Sequence, residues 1–165
     1  MKILVDADSC PKAARELVLR RAAKLGLRLI FAANRRIPGA ISASDESAGT
    51  IENVIMEICP SGANSADDRI VELAEPGDLA ITRDVPLAKR LVERSVLALD
   101  DRGRVFTINN INELLSLRNF IVGLADNGLE IHRTAGYGRK ELKTFADSLD
   151  RILTLYLKPA AGGVI

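Results

Sequence analysis

The residues best suited to chemistry are aspartates. Asp6 and Asp8 end the apolar run 3–5 in "ILVDADS", and on an extended backbone side chains two apart point to the same side. Two carboxylates about 4 Å apart repel by roughly 4 kcal/mol at an effective dielectric near 20. A cation, a proton, a helix N-terminus or water must offset that. Asp67 and Asp68 in "SADDRIV", Asp84 in "AITRD", and Asp100 with Asp101 in "ALDDRG" each follow another apolar run. A cluster of such oxygen ligands suits Mg²⁺ or Mn²⁺, ions that keep several waters and act on phosphoryl groups. Thr82 and Arg83 beside Asp84, and Ser9 beside Asp8, are the expected phosphate-binding partners.

Each acid also has a simpler role open to it. Acidic side chains favour helix N-termini. Ser65-Ala66-Asp67-Asp68 matches a capping box, Asp84 can cap the helix that begins near Pro86, and Asp101 lies in a turn signal. Cys10 in "CPKAAR" has no glycine loop to wrap a phosphate and is expected to be a packing residue. His132 is the only histidine, and with two cysteines it cannot assemble a zinc site at these spacings.

The elements that must position these groups follow from hydropathy. Apolar runs 3–5, 27–33, 54–59, 79–82 and 96–99 are short and mostly unbroken, as strands covered on both faces are. Between them lie amphipathic stretches. Ala14, Leu17, Val18, Ala22 and Leu25 recur at helical spacing before a capping Gly26, and further helices are predicted over 66–74 and 86–94. Two longer ones lie in "NNINELLSLRNFIVGLADNG" and "GYGRKELKTFADSLDRILTLYLK". This alternation predicts an α/β fold with a mainly parallel sheet, the strand-end aspartates gathering at its carboxyl edge, where open α/β sheets place their sites.

The polar stretch 34–50 is expected to be a loop, residues 1–158 one domain, and 159–165 a tail. The net charge of +1 excludes a globally basic nucleic-acid binder, although "NRRIP", "DRGR" and "HRTAGYGRK" with Tyr137 allow a local patch. Aromatic residues make up 4%, which argues against binding by base stacking. No apolar run reaches the length of a membrane span, and two cysteines with no signal-peptide pattern point to the cytoplasm.

"ILVDADSCP", "PSGANSADDRIVELAEPGDLAITRDVPLAKRL", "ALDDRGRVFT" and "FADSLDRIL" resemble the YaiI/YqxD family of bacterial proteins, over nearly the whole chain. That family is similar to PIN-like domains, which have a three-layer α/β/α fold and include many Mg²⁺- or Mn²⁺-dependent ribonucleases. The resemblance puts Asp6 in the first PIN acidic place with Asp8 beside it, Asp67 or Asp68 in the middle place and Asp84 in the later one. It implies a metal-dependent nuclease, RNA before DNA, with Asp6, Asp8, Asp68 and Asp84 in catalysis and Asp6, Asp67, Asp68 and Asp84 on the metal. The adjacent Asp pair stands where PIN nucleases carry a second-helix glutamate, and Leu142 stands where a basic residue is expected. Two other functions suit the same residues. One is a haloacid-dehalogenase-type phosphatase, with Asp6 as nucleophile and Asp8 as general acid. The other is a non-catalytic binding or regulatory domain of the same fold.

Overall fold

The computed structural model describes residues 1–35, 53–62, 64–129 and 136–157. Most of the stretch 34–50, His132 and the tail 159–165 lie outside the described residues. The five apolar runs form strands β1 (Ile3–Asp6), β2 (Leu29–Ala33), β3 (Val54–Ile58), β4 (Leu79–Ile81) and β5 (Leu97–Leu99), joined by a two-residue β6 (Val105–Phe106). The sheet order is β3-β2-β1-β4-β5-β6, with the first five parallel and β6 antiparallel to β5. Central β1 lies between β2 and β4, with Val5 opposite both Phe31 and Ile81. Connections leave β1 in one direction towards β2 and β3, and continue from β4 in the other, so the β1/β4 boundary is the topological switch point.

Parallel pairing requires crossovers, and five helices among the described residues include them: α1 (Lys12–Leu25), α2 (Ser65–Leu73), α3 (Val85–Val92), α4 (Ile111–Asp126) and α5 (Arg139–Leu157). They cover both faces of the sheet. Ile3, Val5, Leu29, Phe31, Leu79 and Ile81 pack with Leu17 and Val18 of α1 and with Phe145, Leu149 and Ile152 of α5. Leu4, Ala32 and Ala80, on the alternate face, pack with Ile70 and Val71 of α2 and Leu87 and Leu91 of α3. Nearer β6, Ala98 and Phe106 meet Ala88 and Ile111. The predicted stripe of α1 is buried except for Leu25, and the helix ends at Gly26, whose φ of 64° is the left-handed cap.

Two features depart from the sequence reading. The run 54–59 looks doubly covered, but β3 is the edge strand and its residues are half-buried or exposed. Strand β6 is only two residues long, too short to register as an apolar run. It follows a turn in which the Asp100 carboxylate accepts the N–H groups of Arg102 and Arg104. At Gly103 in that turn, φ is 89° and a Cβ would sit 2.7 Å from the Thr144 carbonyl oxygen of α5. Only glycine lets the turn lie this close to the helix.

Candidate functional site

Strand β1 delivers Asp6. Side chains alternate along a strand, so Asp6 shares the face of Leu4, the face that α2 and α3 cover. It is 6% exposed. A buried carboxylate must be hydrogen-bonded, and Asp6 Oδ2 accepts from the Ser9 hydroxyl (2.6 Å) and the Thr82 hydroxyl (2.9 Å). Thr82 Oγ1 in turn accepts the Asp84 N–H at 3.0 Å. Thr82 therefore joins the end of β1 to the start of α3.

Asp84 is the N-cap of α3, as its place before Pro86 suggests. Its Oδ1 accepts the Leu87 N–H at 2.7 Å, and the other oxygen carries no hydrogen bond from a described residue. Asp67 lies in the first turn of α2, half-buried, with no hydrogen bond or ion pair to another described residue. Burial first, then the charges of Asp84 and Asp6, together push its carboxyl up to about 6, against a smaller opposing effect of Arg90. A helix N-terminus favours an anion by only about 0.3–1 kcal/mol, less than crowding of this size. The charges of two carboxylates from separate stretches of chain, Asp6 and Asp84, thus reach Asp67 near the switch point.

The adjacent acid goes elsewhere. Asp68 is exposed and pairs with Arg90 at 2.8 Å. The capping box does not form. The N-cap is Asn64, in a left-handed conformation without a side-chain cap, and the Ser65 hydroxyl donates to Asn34 Oδ1 and the Pro60 carbonyl oxygen. Asn34 Oδ1 also accepts the Ala66 N–H at 3.2 Å, so α2 is capped from the end of β2. No local sequence signal marks this role for Asn34.

Asp8 lies outside the extended backbone on which its pairing with Asp6 was expected, because β1 stops at Asp6 and residues 7–9 turn. Its carboxylate accepts the Asn34 N–H at 2.7 Å and lies 3.6 Å from Arg35 Nε. Thr82 is buried and its hydroxyl is committed to Asp6 and Asp84, and Ser9 likewise orients Asp6. Arg83 makes a bidentate pair with Asp101 through Nε (2.6 Å) and Nη2, and lies 5.9 Å from the Tyr137 ring centroid. Its Nη1 has no partner among the described residues. Asp101, 1% exposed, is the residue the sequence hides, because "DDRG" reads as a solvated turn. Tyr137 donates its hydroxyl to the Asp101 carbonyl oxygen at 2.8 Å. Cys10 is a core residue as expected, with burial pushing its thiol up to about 12, so no thiolate nucleophile forms at neutral pH.

A family model described as "Uncharacterized BCR, YaiI/YqxD family" matches residues 4–155. The chain belongs to the YaiI/YqxD family. A UPF0178 protein of Treponema denticola is 44% identical over 158 residues, covering 96% of this chain and 95% of its own. A UPF0178 protein of Pseudomonas aeruginosa PAO1 is 42% identical over 154 residues, covering 93% and 91%. No solved structure matches the chain. Among the described residues no helix is long and apolar enough to cross a membrane.

Whether this YaiI/YqxD chain suits the divalent ion that its acids suggest depends on the donors present. Among the described residues no three His, Cys, Asp or Glu side chains form a ready-made metal cage. Mg²⁺ does not require one, since it binds through one or two carboxylates and keeps several waters. Asp67 has both oxygens free of described partners, and Asp6 and Asp84 each spend one oxygen on internal hydrogen bonds. These donors are all carboxylate oxygens, the chemistry that Mg²⁺ and Mn²⁺ take rather than a thiophilic metal.

Proposed function

We propose that the chain is a metal-dependent phosphodiesterase of PIN-like, three-layer build that cleaves RNA in preference to DNA. One observation carries this reading: Asp6, Asp67 and Asp84 converge at the switch point, and Asp67 has no ion pair of its own among the described residues. The sheet order and the helices on both faces agree with a PIN-like fold, and the preference for RNA rests on that resemblance.

Asp6, Asp67 and Asp84 would hold the ion, one or two of them directly and the rest through its waters, with Ser9 and Thr82 fixing the Asp6 carboxylate. A bound Mg²⁺ or Mn²⁺ supplies an activated water and neutralises charge developing on the phosphoryl oxygens. Asp101 and Tyr137 hold the Arg83 guanidinium in place, so its Nη1 can donate to a phosphate oxygen without a large ordering cost. Asp8, on the rim beside Asn34 and Arg35, bounds the site on the β2 side.

The phosphatase reading has less support. It needs Asp6 and Asp8 to face one phosphorus atom, and they face different neighbours.

The test is cleavage of a single-stranded RNA oligonucleotide with and without Mg²⁺. Both hydroxyls donate to a single oxygen of Asp6, so the amide oxygen of the D6N variant can accept them and the fold is expected to survive. D6N should lower Mg²⁺-stimulated cleavage at least about a hundredfold with an unchanged circular dichroism spectrum. Equal cleavage by D6N and the parent would remove the assignment, and no cleavage by the parent would favour the non-catalytic domain.

A further inference from the structure

Helix α4 breaks the pattern that governs α1 and α5. Leu117, Phe120, Ile121 and Leu124 recur at i, i+3, i+4 and i+7, the spacing with which a helix turns an apolar stripe about 100° wide towards a core. In α5 the corresponding stripe of Phe145, Leu149, Ile152 and Leu153 is buried. In α4 only Ile111, at the start, is buried, while Leu117 is 53%, Phe120 63% and Ile121 39% exposed. Past the left-handed Gly128, the Leu129 N–H returns to the Leu124 carbonyl oxygen at 3.2 Å, and Leu129 is 57% exposed. The sequence encodes a covered face that one copy of the described chain leaves open.

Area and charge select the occupant. The exposed parts of Leu117, Phe120, Ile121 and Leu129 amount to roughly 400 Å² of mostly apolar surface. A stable interface covers about 800 Å² on each partner, somewhat over half of it apolar, so this stripe supplies most of the apolar share. Of the charged residues of α4, Arg118 and Asp126 lie off the stripe, and Glu113, four residues before Leu117, borders its amino-terminal end. A membrane surface or a nucleic acid would call for a basic face, which a single arginine does not make. A second copy needs only an uncharged, self-complementary stripe, because an isologous contact sets the same surface against itself.

We propose that α4 is the contact of a homodimer, two copies crossing antiparallel about a two-fold axis. Such an axis, passing between Phe120 and Ile121, stacks Leu117 of one copy on Leu124 of the other and Phe120 on Ile121, a seam suited to knobs-into-holes packing.

The test is sedimentation of the full chain at about 1 to 100 μM, with L117E, I121K and the milder F120S. The parent should dimerise within that range, and each variant should raise the dissociation constant at least about thirtyfold. Because these side chains stand largely in solvent in one copy, variant and parent should melt together at concentrations where both are monomeric. A parent that stays monomeric throughout overturns the proposal, as does a dimer indifferent to all three substitutions. A monomer destabilised by F120S or I121K also overturns it, since the stripe would then be covered from within the same chain.

Discussion

At the amino ends of β1 and β4, Asp78 is 4% exposed and fully provided for: it accepts the N–H groups of Lys2 (2.8 Å) and Glu75 (2.9 Å), and the Lys2 ammonium lies 2.6 Å away. Burial pushes its carboxyl up, but these hydrogen bonds and the Lys2 charge bring it below the usual carboxylate range. At the carboxyl ends of the same strands, Asp67 has burial and two further acids beside it, and its carboxyl rises to about 6. One sheet thus holds a partly buried carboxylate at each end of one strand pair, with opposite consequences. The amino end has its cation built into the chain. The carboxyl end must take one from solution or bind a proton.

The contrast fixes opposite pH dependences. A lowered carboxyl gives stability that is present above the ordinary carboxylate pKa and lost as pH falls through the folded value, so the Asp78 end weakens in acid. A raised carboxyl gives stability that is present in acid and lost as pH rises through about 6, so the Asp67 end weakens towards neutrality unless a cation arrives.

The largest expected effect is at the satisfied end. D78A leaves two backbone N–H groups without their acceptor and the Lys2 ammonium with only the exposed Glu75 as partner, and urea unfolding should show a loss of about 3 kcal/mol. Next comes metal. Mn²⁺ at about ten times its dissociation constant should stabilise the parent by about 1.4 kcal/mol at pH 7.5 in a thermal melt, and much less at pH 5, where Asp67 carries a proton. An equal shift at both pH values would break the comparison. Smaller again, D67N should stabilise the metal-free protein by about 1 kcal/mol at pH 7.5, lose that advantage near pH 4 and remove most of the Mn²⁺ shift. The smallest effect sharpens the choice between neighbours: D68N, which removes only an exposed pair with Arg90, should stay within about 0.5 kcal/mol and keep the Mn²⁺ shift.

Much of the scaffold was legible because local rules decided it. Ile3, Val5, Leu29 and Phe31 announce buried strands by apolar run length, Leu17 and Val18 a helix by spacing, and Gly26 its end. The candidate site was legible only as a set of strand-end acids. Which of Asp67 and Asp68 turns inward depends on where α2 begins, and that is set by Asn34, about thirty residues away in sequence, rather than by the Ser65 box. The period-two rule does not reach Asp8 because the strand ends two residues before it, and Asp8 takes the Asn34 N–H instead.

The amino-acid sequence by itself determined the order of strands and helices, the acids that fall at strand ends, and the apolar stripe on α4, since each depends on residue type and spacing along a few turns of chain. Tertiary structure alone decided that Arg83 meets Asp101, that Thr82 braces Asp6 against Asp84, that β6 closes one edge, and that Asp67 lies within electrostatic reach of two other carboxylates. Those facts are distances between groups remote in sequence. They exist only once the crossovers have brought β1 and β4 side by side.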